Sequence, residues 1–302
     1  IEEEFDPSLC RIQYYRRPEE ELAIDKLEFL NHAKIQDLAF DSIHPDKNFN
    51  WINLSDDNDW ESLINLYDKN NKSSVFSLST IGVTTARDEW VFDFDKNLIN
   101  KKAKFLVKTY NQSVKTNILD ENIKWSDSLK IHYNRKSKIQ FNNNKISEIV
   151  YRPFIKKYYF SEKIFSDRLT QNHYDIFGNQ LNNDNLLINI INHSQLEKFD
   201  VFSSKKIVDA GLSGRATPFI SLYRYDQEGN RHDNITDWGL SQFTSHYQDA
   251  KITKEDIFYY TYVVLHNPAY RKKYELNLKR EFPRLPFYDD FFKWVSWGKQ
   301  LM

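Results

Sequence analysis

Residues 95–115 read DKNLINKKAKFLVKTYNQSVK. The apolar side chains of this stretch recur at intervals near three and four residues, at Leu98, Ile99, Phe105, Leu106, Tyr110 and Val114. This interval places them on one face of an α-helix. Lysines fill the positions between them, at Lys101, Lys102, Lys104 and Lys108. The pattern therefore predicts a long, basic amphipathic helix.

This helix opens a strongly basic part of the chain. Residues 101–170 contain 16 Lys and Arg against 6 Asp and Glu, a net charge of +10. Residues 1–100 contain 10 Lys and Arg against 21 Asp and Glu, a net charge of −11, so the formal charge of −1 for the whole chain hides two opposed segments. Tyr and Phe run through the basic segment. Cations interleaved with aromatic rings favour nucleic acid as a partner, although a run of charge is also common on a solvated surface.

Shorter elements are predicted on both sides of the helix. Residues 9–17 have β-forming side chains and 19–33 have helical spacing, so we expect a strand and then a helix. Residues 41–60 are polar and predict a loop, followed by a short helix at 59–69. Residues 129–160 break into short runs that predict strands and hairpin turns. Further strands are expected at 186–191, 201–208 and 219–225.

The C-terminal part is predicted to be helical from about residue 230. Thr253 and Asp256 have the spacing of a capping box before a helix at 257–266. Pro268 suits the first turn of a helix that runs to about residue 282, and 289–301 form a last helix. The expected fold class is α+β, with a mixed α/β module ahead of a helical C-terminal region.

Several features limit the class of protein. No run approaches the roughly 18 uncharged apolar residues of a membrane span. The acidic start, Ile1-Glu2-Glu3-Glu4, is unlike a secretory signal. Cys10 is the single cysteine and cannot form an internal disulfide, which fits a reducing cytoplasm. Because the chain starts at Ile1 and its only methionine is Met302, we expect a segment of a longer polypeptide.

Motifs for catalysis are weak. Asn267-Pro268-Ala269-Tyr270 differs by one residue from the tetrapeptide with which amino-methyltransferases hold a flipped adenine, but it stands between predicted helices and is interpreted as helix punctuation. Pro45-Asp46 together with Asp93 and Asp95-Lys96 has the residue types of a metal-dependent nuclease, a pattern common by chance in a charged chain. The histidines lack the paired spacing of a zinc site. We expect no catalytic residue and no metal site in this chain.

Three stretches together resemble a known family. They are TARDEWVFDF at 85–94, YRPF at 151–154, and a run from Leu222 to Gly298 that includes DNITDW at 233–238, KEDIFYY at 254–260, LHNPAYR at 265–271 and FPRLP at 282–286. The chain thereby resembles the C-terminal specificity region of type ISP restriction-modification enzymes. These are single polypeptides that join a nuclease, a helicase-like translocase, an adenine methyltransferase and a target-recognition domain. Residues 10–17 and 26–30 resemble the last strand and exit of the methyltransferase domain.

The resemblance implies a division of the chain and a function. Residues 1–75 would be the C-terminal part of an adenine methyltransferase-like domain, and 76–302 a target-recognition domain. The function implied is sequence-specific recognition of duplex DNA, which positions the parent's methyltransferase and nuclease-translocase. S-adenosylmethionine, ATP and Mg²⁺ would be cofactors of the parent, and none is expected in this chain. The partners would be double-stranded DNA and the upstream domains, with the acidic N-terminal segment facing protein.

The candidate DNA contacts come from the basic segment and the arginine before it. They are Arg87, Lys101, Lys104, Lys108, Lys130, Arg135, Lys136, Lys138, Arg152, Lys156, Lys157 and Arg168. The lysines at 101–108 and 156–157 suit phosphates, and guanidinium groups such as Arg135 and Arg152 suit guanine edges as well. Two alternatives stay open: a protein-interaction scaffold within the parent enzyme, and a divergent metal-dependent nuclease.

Overall fold

A computed structural model describes residues 11–18, 21–45, 51, 59–70, 73–191, 199–214 and 216–302. Contacts within the chain divide it into two compact units, Ile1–Asp59 and Trp60–Met302, and each is described by itself. The boundary expected between residues 75 and 76 concerns the family origin of the two segments and stays a prediction.

The first unit contains a small sheet and a helix. Strand β1 (Ile12–Tyr14) pairs antiparallel with β2 (Asp41–Ile43), and helix α1 (Ala23–His32) connects them. The predicted strand and helix are therefore present. The loop predicted at 41–60 is wrong at its start, because β2 gains its hydrogen bonds from β1. Residues 46–50 and 52–58 of that segment lie outside the described residues.

The second unit alternates short strands with helices. Its strands are β3 (Ile64–Asn65), β4 (Ser79–Ile81), β5 (Phe92–Asp93), β6 (Ile146–Arg152), β7 (Ile155–Phe160), β8 (Leu187–Ile191), β9 (Asp200–Ser204), β10 (Pro218–Ser221), β11 (Tyr223–Tyr225), β12 (Arg231–Asp233) and β13 (Arg284–Leu285). Its helices are α2 (Asp88–Val91), α3 (Lys96–Thr116), α4 (Asp127–Asn134), α5 (Gln171–Phe177), α6 (Asp237–Tyr247), α7 (Lys254–His266), α8 (Pro268–Lys273), α9 (Glu275–Arg280) and α10 (Phe291–Leu301). This mixture of helices and small antiparallel sheets confirms the α+β class.

A four-stranded sheet separates two apolar cores of the second unit. The strand order is β4-β10-β8-β9. Successive side chains on a strand point to opposite faces. Leu187 and Phe219 accordingly join the core around α3, whereas Ile188 and Ile220 join the core around α7 and α10. Because both faces of the sheet are covered, β8 and β10 carry adjacent apolar residues that point to opposite faces, without the alternation of a half-exposed strand.

Helix α3 confirms the amphipathic pattern at 95–115. Ile99, Leu106 and Tyr110 are fully buried. The Asp95 side chain accepts hydrogen bonds from the amides of Asn97 and Leu98, at 2.6 and 3.0 Å, and so satisfies donors that the first turn leaves without a partner. The helix packs beside the three-stranded sheet β5-β7-β6, so its position relative to the β6–β7 hairpin is fixed.

Three local predictions for the second unit are wrong. Residues 127–134 form α4 and not a strand, because Ser126 begins a helix by accepting a hydrogen bond from the Leu129 amide at 3.3 Å. Residues 59–69 form a short 3-10 turn at Trp60–Ser62 and then β3, which is paired by the distant strand β13. The single helix expected from residue 268 to about 282 is divided at Tyr274 into α8 and α9.

Helices α7 and α10 pack closely in the C-terminal core. The predicted capping box is present: the Asp256 amide donates to Thr253 Oγ1 at 3.1 Å, and the Thr253 amide donates to Asp256 Oδ2 at 3.2 Å. A Cβ atom at Gly298 of α10 would overlap the Tyr259 carbonyl oxygen of α7. Only glycine permits this approach of the two helices. Within the described ranges, no helix is long and apolar enough to cross a membrane.

Candidate nucleic-acid interface

The exposed side of α3 carries a row of lysines. Lys101, Lys104 and Lys108 are exposed, and their spacing of three and four residues puts them on one side of the helix. Lys115 is exposed on the same side and was not among the predicted contacts, although its position seven residues after Lys108 identifies it. At about 1.5 Å per residue, the row from Lys101 to Lys115 is about 21 Å long. Lys102 lies off the row and donates a hydrogen bond to Asp93 at 2.6 Å.

The segment that follows α4 lies along this row. Asn111 of α3 donates to the Ile139 carbonyl oxygen at 2.7 Å and accepts from the Ile139 amide at 3.1 Å. These two bonds hold the exposed Lys138 next to the helix. They also place the ring centre of Phe141 5.4 Å from the Lys104 ammonium. The cationic surface is therefore wider than α3 alone.

Lys136 extends the surface at the C-terminal end of α3. Its ammonium donates to the side chain of Asn117, the residue that ends α3, and lies 4.9 Å from the Tyr133 ring centre. Arg135 is exposed beside it. Lys130 is also exposed and lies 3.8 Å from Asp127, an exposed ion pair that contributes little.

A second group of cations surrounds Tyr151 on the β6–β7 hairpin. The Lys157 ammonium lies 3.7 Å and the Arg152 guanidinium 4.1 Å from the ring centre of Tyr151. The Tyr151 hydroxyl donates to Asp88 at 3.1 Å, and Arg152 donates to the buried Asp209. Burial lowers the pKa of Lys157, whereas burial raises the pKa of Asp209 to about 6. Two of the predicted contacts, Arg152 and Lys157, therefore share one polar cluster.

Arg87 lies inside the chain and not on this surface. Its side chain is fully buried. The guanidinium donates to Ser126 Oγ and lies 3.4 Å from the Asp167 carboxylate. Burial lowers the pKa of Arg87. Arg87 thus fastens the start of α4 to the segment around Asp167, a role that the sequence pattern did not reveal, and we leave it out of the candidate surface.

The remaining predicted contacts, Lys156 and Arg168, are both exposed. The Arg168 amide donates to the Thr84 carbonyl oxygen at 2.9 Å, which fixes the backbone that carries its side chain. Lys156 lies on β7 opposite Val150 of β6. Lys205 and Lys206, which were not predicted, line a cleft of about 550 Å³ together with Lys156.

The carboxylates of the nuclease alternative have structural partners. Asp95 caps α3, and Asp93 accepts from Lys102. Burial alone would raise the pKa of Asp93, but hydrogen bonds from the Asp95 amide and Lys102 lower it overall. Asp46 lies outside the described residues. In the part of the chain that the structure describes, no group of three or more His, Cys, Asp or Glu side chains is placed to hold a metal ion.

The motif at 267–270 marks the boundary between two helices, as predicted. The Asn267 side chain accepts from the Ala269 amide at 2.9 Å, and Pro268 opens α8. Tyr270 is buried and donates to the Arg284 carbonyl oxygen at 2.6 Å. These contacts place the tetrapeptide in the C-terminal core.

Comparison with known proteins identifies the family. Residues 74–302 match the Type ISP C-terminal specificity domain. A cryo-EM structure of a DrdV–DNA complex superposes with a TM-score of 0.85 at 32% identity, over 98% of this chain and 30% of that chain. A comparison with curated protein sequences finds no match.

Two further solved structures are similar. A nuclease-deletion mutant of the Type ISP restriction-modification enzyme LlaGI, in complex with a DNA substrate mimic, gives a TM-score of 0.80 at 29% identity, over 98% of this chain and 28% of that chain. The ATP-dependent Type ISP enzyme LlaBIII, bound to DNA, gives 0.76 at 26% identity, over 87% of this chain and 18% of that chain. This chain spans less than a third of the length of each. The chain therefore belongs to the family of Type ISP C-terminal specificity domains.

Proposed function

We propose that this chain recognises a specific sequence in duplex DNA and thereby positions the adenine methyltransferase and nuclease-translocase of a longer Type ISP polypeptide. The observation that carries this proposal is the row of exposed lysines on α3, widened by Lys138 and continued by Lys136 at its end. The three similar structures support it, because each contains DNA.

The cations divide into two roles. The α3 lysines are exposed point charges on flexible side chains in a row of about 21 Å, which suits contacts to successive phosphates. Arg152 is held by Asp209 and by the Tyr151 ring, so its guanidinium has a fixed direction. A planar donor that is already oriented suits a guanine edge, where two hydrogen bonds must form together. Phosphate contacts would set the register, and the hairpin would read the sequence.

The longer polypeptide supplies the chemistry in this proposal. Residues 1–75 would be the end of its methyltransferase domain, and the acidic N-terminal segment would face protein. S-adenosylmethionine, ATP and Mg²⁺ would bind to the upstream domains. The whole protein would reside in the cytoplasm with its DNA substrate.

The salt dependence of DNA binding tests this function. Each phosphate contact releases counterions and adds about 0.9 to the slope of log affinity against log salt concentration. We expect a steep slope for this chain on any duplex, and enrichment of one short sequence from a random duplex pool. A flat slope contradicts DNA binding, and a steep slope without enrichment contradicts sequence recognition.

The two alternatives predict different results. A protein-interaction scaffold binds the upstream domains and no DNA. A metal-dependent nuclease cleaves DNA only with a divalent cation, and Asp95→Ala abolishes the cleavage. Asp95→Asn is the matched control, because asparagine also caps a helix well but is a poorer metal ligand.

A further inference from the structure

Phe154 projects from the tip of the β6–β7 hairpin. Its side chain is 88% exposed, the highest value among the large apolar residues that the structure describes. A single exposed apolar side chain is ordinary on a protein surface. The backbone and the charges around Phe154 distinguish it from such cases.

The backbone at Phe154 is in a conformation that favours glycine. Its φ is +64°, in the left-handed region. Pro153 followed by a positive φ is the pattern of a type II turn, in which Gly or Asn normally takes the second central position. A side chain with a Cβ is disfavoured there. The turn therefore carries a bulky apolar ring at a position where the fold itself favours the smallest residue.

Strand β6 of the hairpin is hydrogen-bonded on both edges, with a register shift between Val150 and Arg152. Arg152 pairs with Ile155 directly below the turn. On the other edge of β6, the Val150 amide donates to the Ile207 carbonyl oxygen at 3.0 Å, and the Asp209 amide donates to the Val150 carbonyl oxygen at 2.9 Å. The Phe154 ring touches only the edge of Phe202, at 5.4 Å between ring centres, among the ring contacts of the described residues. The ring is thus carried by a strand pair that is hydrogen-bonded to the rest of the second unit.

Cations flank the ring on both strands. Arg152 precedes the turn, and Lys156 and Lys157 follow it within three residues. Such a group attracts the phosphates of DNA toward the apolar ring. Proteins that bend DNA use this combination: cations hold the backbone while an apolar side chain enters between two base pairs and replaces the stacking that is lost.

We propose that Phe154 is an apolar wedge that inserts between neighbouring base pairs of duplex DNA. This inference rests on the proposed function, since the duplex must first bind the cationic surface. Lys156 then contacts the backbone beside the opened step, and Arg152 stays directed at a base edge next to it. The ring is already exposed at the turn, so insertion needs no refolding of the hairpin.

Two duplexes of the same sequence test the wedge. One is intact, and the other carries a tetrahydrofuran abasic analogue at its centre, where a ring enters without unstacking a paired base. We expect this chain to bind the abasic duplex about tenfold more tightly, because the unstacking cost is smaller. Phe154→Gly suits the turn, should unfold at a temperature no lower than the unsubstituted chain, and should bind both duplexes equally. Phe292→Ala, which removes an exposed ring from α10, is the matched control and should keep the preference.

Each outcome decides between the proposals. Equal affinity of the unsubstituted chain for both duplexes, with a steep salt slope, overturns the wedge and leaves the proposed function intact. A preference that persists in folded Phe154→Gly also overturns the wedge. Absence of binding to either duplex overturns both.

Discussion

The Arg152 guanidinium donates a hydrogen bond to the Asp209 carboxylate, and the same guanidinium lies 4.1 Å from the ring centre of Tyr151. Asp209 is buried, whereas Arg152 is partly exposed. The pair therefore connects the interior of the second unit to the proposed DNA surface. A side chain held in this way loses little conformational freedom when it meets DNA.

Asp209 should make stability depend on pH. Burial raises its pKa from 3.8 to about 6, so between these values the folded chain binds more protons than the unfolded chain. Its contribution to the free energy of unfolding thus increases as pH falls from about 6 to about 4, by about 3 kcal/mol at most. Asp209→Asn lacks this contribution. Denaturant unfolding of both proteins from pH 7 to pH 4 should show the difference moving in favour of the unsubstituted chain, and a constant difference would be evidence against the buried acid.

His173 should change the pH dependence of stability in the opposite direction, so that the folded chain becomes less stable as pH falls. Its ring is buried, with Nδ1 accepting from the Thr170 amide at 3.0 Å and Nε2 donating to the Ile81 carbonyl oxygen at 2.9 Å. Burial lowers its pKa from 6.5 to about 4. The unfolded chain then binds more protons in that range, so this residue's contribution falls by about 3 kcal/mol as pH falls from about 6.5 to about 4. His173→Gln should be less stable at pH 7, but its free energy of unfolding should not fall in this way as the pH is lowered. If denaturant unfolding gave the same dependence of stability on pH for the variant and the unsubstituted chain, this would contradict a neutral buried ring.

Arg87 should matter for folding and not for DNA contacts. Arg87→Met leaves Asp167 and Ser126 without their buried donor, and we expect a loss of about 3 kcal/mol in the free energy of unfolding. The folded fraction should keep the salt slope of DNA binding. If the variant had normal stability but a lower slope of log DNA affinity against log salt concentration, Arg87 would instead contact DNA.

Gly298 should limit the packing of α7 and α10. Gly298→Ala drives a methyl group into the Tyr259 carbonyl oxygen, and backbone cannot give way as a flexible side chain does. We expect a destabilisation of about 1–3 kcal/mol in denaturant unfolding. Ser296→Ala, on the exposed side of the same helix, should stay within about 0.5 kcal/mol. Equal stability of the two variants would show that the helices do not approach this closely.

Local patterns predicted much of this fold. Helix α3 is predictable from the sequence because its apolar spacing and its cap at Asp95 lie within one short stretch. The capping box at Thr253 makes α7 predictable in the same way. Strand β3 was missed because its hydrogen bonds come from β13, far along the chain. Helix α4 was missed because Ile131, His132 and Tyr133 suit a strand, and the Ser126 cap outweighs that preference.

Only part of the candidate surface was predicted from the sequence. The α3 lysines follow from helical spacing, and Lys115 would have followed from it too. No local pattern distinguishes Arg87 from an exposed arginine. Its partners in the interior, Ser126 and Asp167, are brought near only by the fold. Phe154 carries no sequence signal for its positive φ beyond the preceding proline.

The salt slope of a lysine variant tests the central claim most directly. The triple variant Lys101→Gln, Lys104→Gln and Lys108→Gln removes three charges from the α3 row, and Lys251→Gln, Lys272→Gln and Lys293→Gln removes three exposed charges from the C-terminal region. The α3 variant should lower the slope of log DNA affinity against log salt concentration by about 3 and the control by close to zero. An unchanged slope in the α3 variant, or equal losses in both, would contradict the α3 row as the DNA-binding surface.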